Sequence, residues 1–234
     1  MKKSVIVTLV IILVLILDQW LKVWVKLNIN YGEGFNILGL DWAQIHFIEN
    51  PGMAFGLSYG GVTGKIILSS FRIVMVAVLI YILSSLIKNK EPIGLLISFS
   101  LIIAGAMGNI FDSMLYGLIF SKSVFHGGLA EFMPLDGGYA PFLQGKVVDM
   151  LYFPLIDTTL PDWFPIWGGE RFQFFRPVFN LADSAISVGV ASIIIFHRKF
   201  FKEKKKKENT PVLPSASNVQ ETIVPPIVIS DQEE

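Results

Sequence analysis

Four long apolar runs divide the chain, at roughly 5–25, 66–87, 93–111 and 181–196. A helix that crosses a bilayer needs about 20 mainly apolar residues rising about 1.5 Å each. The first three runs meet that length, and the fourth meets it only with flanking residues. The pattern therefore predicts four transmembrane helices. Two less regular segments, about 27–65 and 118–180, join them. In the first, Ile45-His46-Phe47-Ile48 and Ala54-Phe55-Gly56-Leu57 flank the turn signal Asn50-Pro51-Gly52, which predicts a short hairpin. The second is rich in Gly, Pro and aromatics, including Trp163, Phe164, Trp167, Phe172, Phe174 and Phe175, side chains suited to the headgroup zone. The expected fold is an all-α integral membrane protein, with four transmembrane helices and a small extracytoplasmic β element.

Polar residues interrupt this pattern in few places. Asp18-Gln19, Gly108-Asn109-Ile110-Phe111-Asp112, Gly145-Lys146-Val147-Val148-Asp149 and Phe179-Asn180-Leu181-Ala182-Asp183 set carboxylates and amides at or beside the ends of apolar runs. An ionised carboxylate in hydrocarbon costs at least about 2.5 kcal/mol, so several at related depths point to one polar site inside a bundle.

Composition agrees, with 53% hydrophobic and only 16% charged residues. The formal net charge of zero hides an asymmetry. Lysines fill 204–207, just past the last apolar run, and Asp231, Glu233 and Glu234 close the chain. This balance speaks against nucleic acid as a partner. The absence of cysteine excludes disulfides, thiolate metal sites, a Cys nucleophile and lipidation of this chain on a cysteine. Met1-Lys2-Lys3 before an apolar run also fits a secretory signal peptide. No small-x-small cleavage site follows Leu17, however, and apolar residues resume through Trp20, Leu21, Trp24 and Val25, which favours an uncleaved helix.

Lys2, Lys3, Lys88, Lys90 and the basic cluster at 198–207 then share one side of the membrane, which the positive-inside rule makes cytoplasmic. Both termini lie inside in this reading. Residues 1–201 form the membrane domain, and 202–234 read as a disordered cytoplasmic tail whose lysines can touch anionic lipid heads. Counting up from the cytoplasmic ends, Asp18, Asn109 and Asp183 fall about 21, 24 and 21 Å into a core about 30 Å thick, just below the outer surface. Arg72 falls about 24 Å up the second helix, and two readings stand for it: facing the same cavity, or snorkelling at the interface.

Simple structural roles compete with functional ones. Asp18 can pair with Lys22 one helical turn on. The Glu49-to-Gly56 stretch is a turn or a means of presenting Asn50. Gly105, Ala106 and Gly108 explain close helix packing but not Asp112. Asn180 stands at an N-cap position, with Asp183 in the first turn. Asp149, between Val147-Val148 and Met150-Leu151, has an apolar setting that raises a carboxylate pKa. His46, His126 and His197 are scattered and form no H-E-x-x-H motif, and no Gly-rich phosphate loop opens a helix. No metal and no organic cofactor is called for. What remains is carboxylate chemistry: two close carboxyls share a proton and together activate water. The competing class is a small transporter or binding protein using the same carboxylates as a proton or cation relay. Against that class, the carboxylates cluster near one face, with none in the inner half.

The motifs Asp18-Gln19-x-x-Lys22, Glu49-Asn50-x-Gly52-x-Ala54-Phe55, Gly105-Ala106-x-Gly108-Asn109-x-x-Asp112, Gly145-x-Val147-Val148-Asp149 and Phe179-Asn180-x-Ala182-Asp183-x-x-Ile186 occur in that order. Over about 1–200 the chain resembles the bacterial lipoprotein signal peptidases, or signal peptidase II, a specific likeness because five ordered motifs carry it. The resemblance implies an inner-membrane aspartic endopeptidase that cuts prolipoproteins just before a diacylglyceryl-modified cysteine. It implies Asp149 and Asp183 as the catalytic dyad. Asn50, Asn109, Asp112 and Asn180 match positions that support the dyad or contact substrate and globomycin-type peptide antibiotics, and Asp18, Lys22, Gly52 and Arg72 complete the supporting set. Implied partners are diacylglyceryl-prolipoproteins and membrane lipids. Two departures stand out. The family Arg after the third-motif Asp is Ser113 here, with Arg72 or Lys146 as replacements. Residues 118–144 read as an extracytoplasmic insertion outside the catalytic core, and the stretch before Arg176 is also extended.

Overall fold

A computed structural model describes residues 2–51, 61–174 and 176–198. Gly52, the expected strand at 54–57, Phe175 and the tail at 202–234 lie outside the described residues.

The helices are α1 (Lys3–Asn28), α2 (Gly61–Lys88), α3 (Ile93–Phe111), the single turn α4 (Gly117–Ile119) and α5 (Leu181–Phe196). Helix α3 is central and packs against α1, α2 and α5. Its small residues permit this. A Cβ on Gly105 would stand 2.2 Å from the Ala182 carbonyl oxygen, and one on Gly108 would stand 2.5 Å from Asp18 Oδ2. The close approach of α3 to α5 at Gly105 and to Asp18 of α1 at Gly108 thus exists because neither position carries a side chain.

At one end of the bundle, Lys3 Nζ donates to the carbonyls of Lys90 (2.9 Å) and Glu91 (2.7 Å). The His197 ring abuts Gly94 at that same end. The start of α1, the α2–α3 turn and the end of α5 therefore gather together. Leu13, Ile16, Trp20, Ile67, Phe71, Tyr81, Ile194 and Phe196 face outward, an apolar girdle that suits lipid rather than water. Among the described residues, three helical stretches are long and apolar enough to cross a membrane: α1, α2 and the continuous Ile93–Ile119. Helix α5, at 16 residues, spans about 24 Å.

Helix α3 does not end at Phe111. It runs into a π turn at Asp112–Tyr116 that sets Asp112, Ser113 and Tyr116 in the interior. Wider π turns of this kind recur at functional sites, because the extra residue re-aims a side chain.

The fold is not all-α. Strands β1 (Gly34–Asn36), β2 (Gln44–Asn50), β3 (Val147–Tyr152) and β6 (Val178–Phe179) form an antiparallel sheet in the order β1-β2-β3-β6. Strand β2 takes part in long-range pairing: it lies between β1 and β3, with Asn50 opposite Val147 and Ile48 opposite Asp149. Along β2, Ile45, Phe47 and Glu49 point inward in strict alternation. Strand β3 is buried at Val147, Val148, Asp149 and Met150 alike and so carries no alternation to read.

Strands β4 (Ile156–Thr159) and β5 (Arg171–Phe174) form a separate hairpin, whose connecting loop exposes Trp163, Ile166 and Trp167. Residues 118–144 reach into the hydrophobic core. Phe120 is fully buried in a cluster with Val25, Ile29, Phe47, Tyr116, Val148 and Met150, and Tyr139 packs against it. The reason is chemical: the apolar sheet face above α1 needs covering, and this segment supplies the aromatic cover.

Candidate active site

The polar residues at the helix ends meet at the junction of α1, α3, α5 and β3. Lys22 on α1 is the centre of its lower tier. Its ammonium is fully buried and contacts Asp18 Oδ2, Asp112 Oδ2 and Asn109 Oδ1, each at 2.9 Å. One buried cation thus pairs with two buried carboxyl groups, and removing it would leave both without their charge partner. Asp18 does more than pair along its own helix. Its Oδ1 accepts the backbone N–H of Ala182 at 2.8 Å, which ties α1 to the first turn of α5. Asp112 accepts from Gln19 Nε2 at 2.9 Å and from the Val148 backbone N–H at 3.2 Å. With Lys22 added, its two oxygens are committed to protein, and the residue is wholly buried. Asp112 therefore fastens α3 to β3 and has no access to a reacting water.

The upper tier holds the two remaining aspartates. Asn180 N-caps α5: its Oδ1 accepts the Asp183 backbone N–H at 2.9 Å, and Asp183 Oδ2 accepts the Asn180 backbone N–H at 3.3 Å. This reciprocal arrangement is a capping box. The Asn180 Nδ2 group is left for tertiary contacts and donates to Asp149 Oδ1 at 2.7 Å and to Asn109 Oδ1 at 3.1 Å. Asn109 Nδ2 donates to Asp183 Oδ1 at 2.8 Å. Asn50, at the end of β2, donates to Asp149 Oδ2 at 3.3 Å. Asp149 and Asp183 are thereby held around a pair of touching asparagines, each amide supplying a donor to one carboxylate.

The two aspartates differ in surroundings. Asp149 is only 2% exposed, while Asp183 is partly open. Burial, reinforced by the Asp183 charge, pushes the Asp149 pKa up to about 7, and hydrogen bonds from Asn50 and Asn180 oppose the rise. Arg72 of α2 lies within electrostatic reach of both aspartates. Lys146 is not so placed, since it pairs with Glu49 Oε2 at 3.2 Å. Ser113 returns its hydroxyl to the Asn109 carbonyl at 3.0 Å and stays buried.

Sequence reasoning missed a third cluster beside these tiers. Lys26 on α1 is fully buried and pairs with Glu49, donates to Ser123 Oγ at 2.8 Å, and lies 5.9, 5.4 and 5.3 Å from the ring centroids of Phe47, Phe120 and Tyr139. Ser123 in turn donates to Glu49 Oε1 at 2.9 Å. A signal existed: Asp18, Lys22 and Lys26 recur every fourth residue and so share one face of α1. Gln19, whose Oε1 accepts from the Tyr116 hydroxyl at 3.2 Å, was visible only as the neighbour of Asp18.

These features define a multi-pass membrane protein with a small sheet and a site of paired carboxylates held by asparagines. The sequence profile of the signal peptidase (SPase) II family matches residues 10–199, and the chain belongs to that family. It is 48% identical over 191 residues to the lipoprotein signal peptidase of Porphyromonas gingivalis W83, covering 81% of each chain. It is 36% identical over 201 residues to that of Amoebophilus asiaticus, covering 84% of this chain and 80% of the relative. A bacterial membrane enzyme solved at 1.9 Å by the in meso method is similar in fold, with a TM-score of 0.53 at 25% identity, covering 82% of this chain and 92% of the other.

Proposed function

We propose that the protein is an aspartic endopeptidase that cleaves the signal peptide from prolipoproteins, N-terminal to the diacylglyceryl-modified cysteine. The observation that carries the reading is the asparagine pair, Asn180 to Asp149 at 2.7 Å and Asn109 to Asp183 at 2.8 Å, which brings two carboxylates from β3 and α5 to one site. Asp149 holds the proton near neutral pH and hydrogen-bonds the scissile carbonyl oxygen. Asp183, the more open of the two, takes a proton from water as that water attacks. Collapse of the tetrahedral intermediate passes a proton to the leaving amine. Arg72 steadies the negative charge that the pair carries.

Helix α5 completes a fourth span with its flanking residues, and both termini are cytoplasmic in the bacterial inner membrane. The dyad then lies near the outer face, where a lipid-linked substrate arrives from the bilayer. Membrane lipids contact the apolar girdle, and globomycin-type peptides compete for the dyad. Residues 1–201 form the peptidase domain. Among the described residues the buried carboxylates Asp18, Glu49, Asp112 and Asp149 all lie at the sheet end of the bundle, which supports a local reaction centre over a transmembrane relay.

The deciding experiment is cleavage of a synthetic prolipoprotein peptide by the purified protein, with and without the diacylglyceryl group on its cysteine. Cleavage that requires the lipid supports the proposal. Proton-coupled flux in proteoliposomes without cleavage overturns it.

A further inference from the structure

Successive side chains of a strand point to opposite faces, so Glu49 and Asn50 of β2 meet different surroundings. Asn50 donates to Asp149 Oδ2 at 3.3 Å, while Glu49 turns to the buried face of the sheet. A carboxylate placed there needs compensation from several sides. Glu49 Oε1 pairs with Lys26 of α1 and accepts from Ser123 Oγ at 2.9 Å, and its Oε2 pairs with Lys146 Nζ at 3.2 Å. Three separate parts of the chain thus converge on one side chain at the end of β2.

The ladder explains why that end needs holding. Gln44 and Ile45 pair with Tyr152 and Leu151, but the register then slips before Ile48, Glu49 and Asn50 meet Asp149, Val148 and Val147. Such an irregularity bends a strand and interrupts its pairing, a device common beside active sites. Among the described residues, the short ladder beyond the slip is the part that carries both Asn50 and Asp149. A slide of one residue would turn Asn50 to the other face and away from Asp149. Strand β3 has its own anchors there, since the Val148 N–H is bound by Asp112 Oδ2 at 3.2 Å and the Lys146 N–H by the Tyr139 hydroxyl at 2.7 Å. Glu49 sits in the middle of the short ladder, and its bond to Lys146, which directly precedes β3, crosses from one strand to the other.

Resting on the peptidase reading above, we infer that Glu49 is a positioning residue of the reaction: by tying the end of β2 to Lys26, Ser123 and Lys146, it holds Asn50 against Asp149. Glu49 touches no reacting atom and acts through Asn50. A buried ion pair that served stability alone would lower the melting temperature when broken and leave the ionisation of Asp149 where it was.

The test follows kcat/KM against pH for one diacylglyceryl peptide in the full-length protein. The charged groups facing Asp149 are Asp183 of α5, Lys22 of α1 and Arg72 of α2, with Asp112 bound to the adjoining Val148 N–H, and the variants leave all four in place. In Glu49→Gln the Asn50 donor is loosened, so the decline of kcat/KM near pH 7 should move to higher pH, as in Asn50→Ala. The value of kcat should fall about ten- to a hundredfold, with KM within a few-fold. Loss of the Glu49 charge acting through space alone would move the decline to lower pH, because removing a negative charge favours the ionised form of Asp149. Added to Asn50→Ala, Glu49→Gln should bring no further shift, since the bond it positions is already gone. Lys146→Met removes only the partly exposed contact between the strands and decides the matter if Glu49→Gln fails to fold. Its shift should also run to higher pH and vanish in the Asn50→Ala background. A decline that stays in place or moves to lower pH in the variants that fold, or shifts that add fully to that of Asn50→Ala, overturn the positioning role and leave the peptidase reading intact. No cleavage by the unmodified protein overturns both.

Discussion

Asn180 donates its side-chain amide to Asp149 at 2.7 Å while its side-chain oxygen caps the Asp183 backbone N–H at 2.9 Å. One residue thus sets the start of a helix and the distance between that helix and β3. These two jobs can be separated. Asn180→Ser keeps a good N-cap but cannot reach Asp149, so melting temperature should change little while activity falls by about a hundredfold or more. Asn180→Ala loses both, with a further stability cost of about 1 kcal/mol from the cap. Thermal melts and turnover of one lipopeptide, measured side by side, check the split. Equal loss of stability in the two variants would leave the capping role unsupported.

Asp149 and Asp183 should behave as one unit. Asp149→Asn or Asp183→Asn preserves size and removes ionisation, and either should abolish cleavage while binding of a globomycin-type peptide largely survives. The double variant should be scarcely worse than each single one, since groups that act together are non-additive. Substantial turnover in either single variant would remove the dyad assignment. Attention would not then pass to Asp112, whose oxygens are already committed to Lys22, Gln19 and the Val148 N–H.

The raised pKa of Asp149 has consequences for both rate and stability. If Asp149 supplies the shared proton, kcat/KM should fall as pH rises through about 7. Asn50→Ala removes a donor that stabilises the ionised form, so this limb should move to higher pH. The stability sign follows from burial. Between the ordinary value of 3.8 and about 7, the native state keeps a proton that the unfolded chain has lost. Folding stability is therefore fullest at the acid end of that window and declines as pH rises through it, by at most about 1.4 kcal/mol for each step of one in pH. Asp149→Asn should flatten that decline, and thermal melts of the two proteins from mildly acid to mildly alkaline pH make the comparison.

Three of the apolar spans and the gathering of polar residues at the helix ends were legible in the sequence because both depend on local composition. A run of apolar residues and a carboxylate placed in it are visible without knowing any partner. Depth counting brought Asp18, Asn109 and Asp183 to one level, and the structure joins them through Lys22, Ala182 and Asn180. The sheet was not legible to the same degree. The pairing of Asn50 with Val147 crosses nearly a hundred residues, and β3 shows neither alternation nor turn signals. The Lys26–Glu49–Ser123 cluster was hidden for a related reason. Glu49 looked like part of a turn, and its inward direction follows only from the alternation of β2. The part that 118–144 play in the hydrophobic core is equally hidden, because burial of Phe120 and Ser123 is a tertiary fact.

Orientation is open to a direct test, because the chain contains no cysteine to interfere. Asp136 and Lys88 are both exposed, and they lie on opposite sides of the membrane in the proposed topology. In intact cells an impermeant maleimide should label Asp136→Cys and spare Lys88→Cys until the membrane is opened. The reverse pattern would invert the topology and place the dyad at the cytoplasmic face.

The segment 118–144 can be divided by what it touches. Ser123 bonds to both Lys26 and Glu49, Phe120 fills the cluster under β2 and β3, and the Tyr139 hydroxyl accepts the Lys146 backbone N–H at 2.7 Å. Each contact bears on a residue close in sequence to Asn50 or Asp149. Residues 124–129, by contrast, are exposed. Replacing 124–129 with a Gly-Ser linker should leave cleavage within a few-fold of normal, since loop closure entropy changes slowly with composition and length. Replacing the whole segment should abolish cleavage, because it exposes the aromatic cluster and leaves the buried Lys26–Glu49 pair open to water on one side. Ser123→Ala offers a finer probe. It removes two hydrogen bonds, one accepted from Lys26 and one donated to Glu49, at a stability cost of about 1–3 kcal/mol, without disturbing the aromatic cover. Full activity after replacement of the entire segment would show that α1, α3, α5 and the sheet hold the dyad unaided.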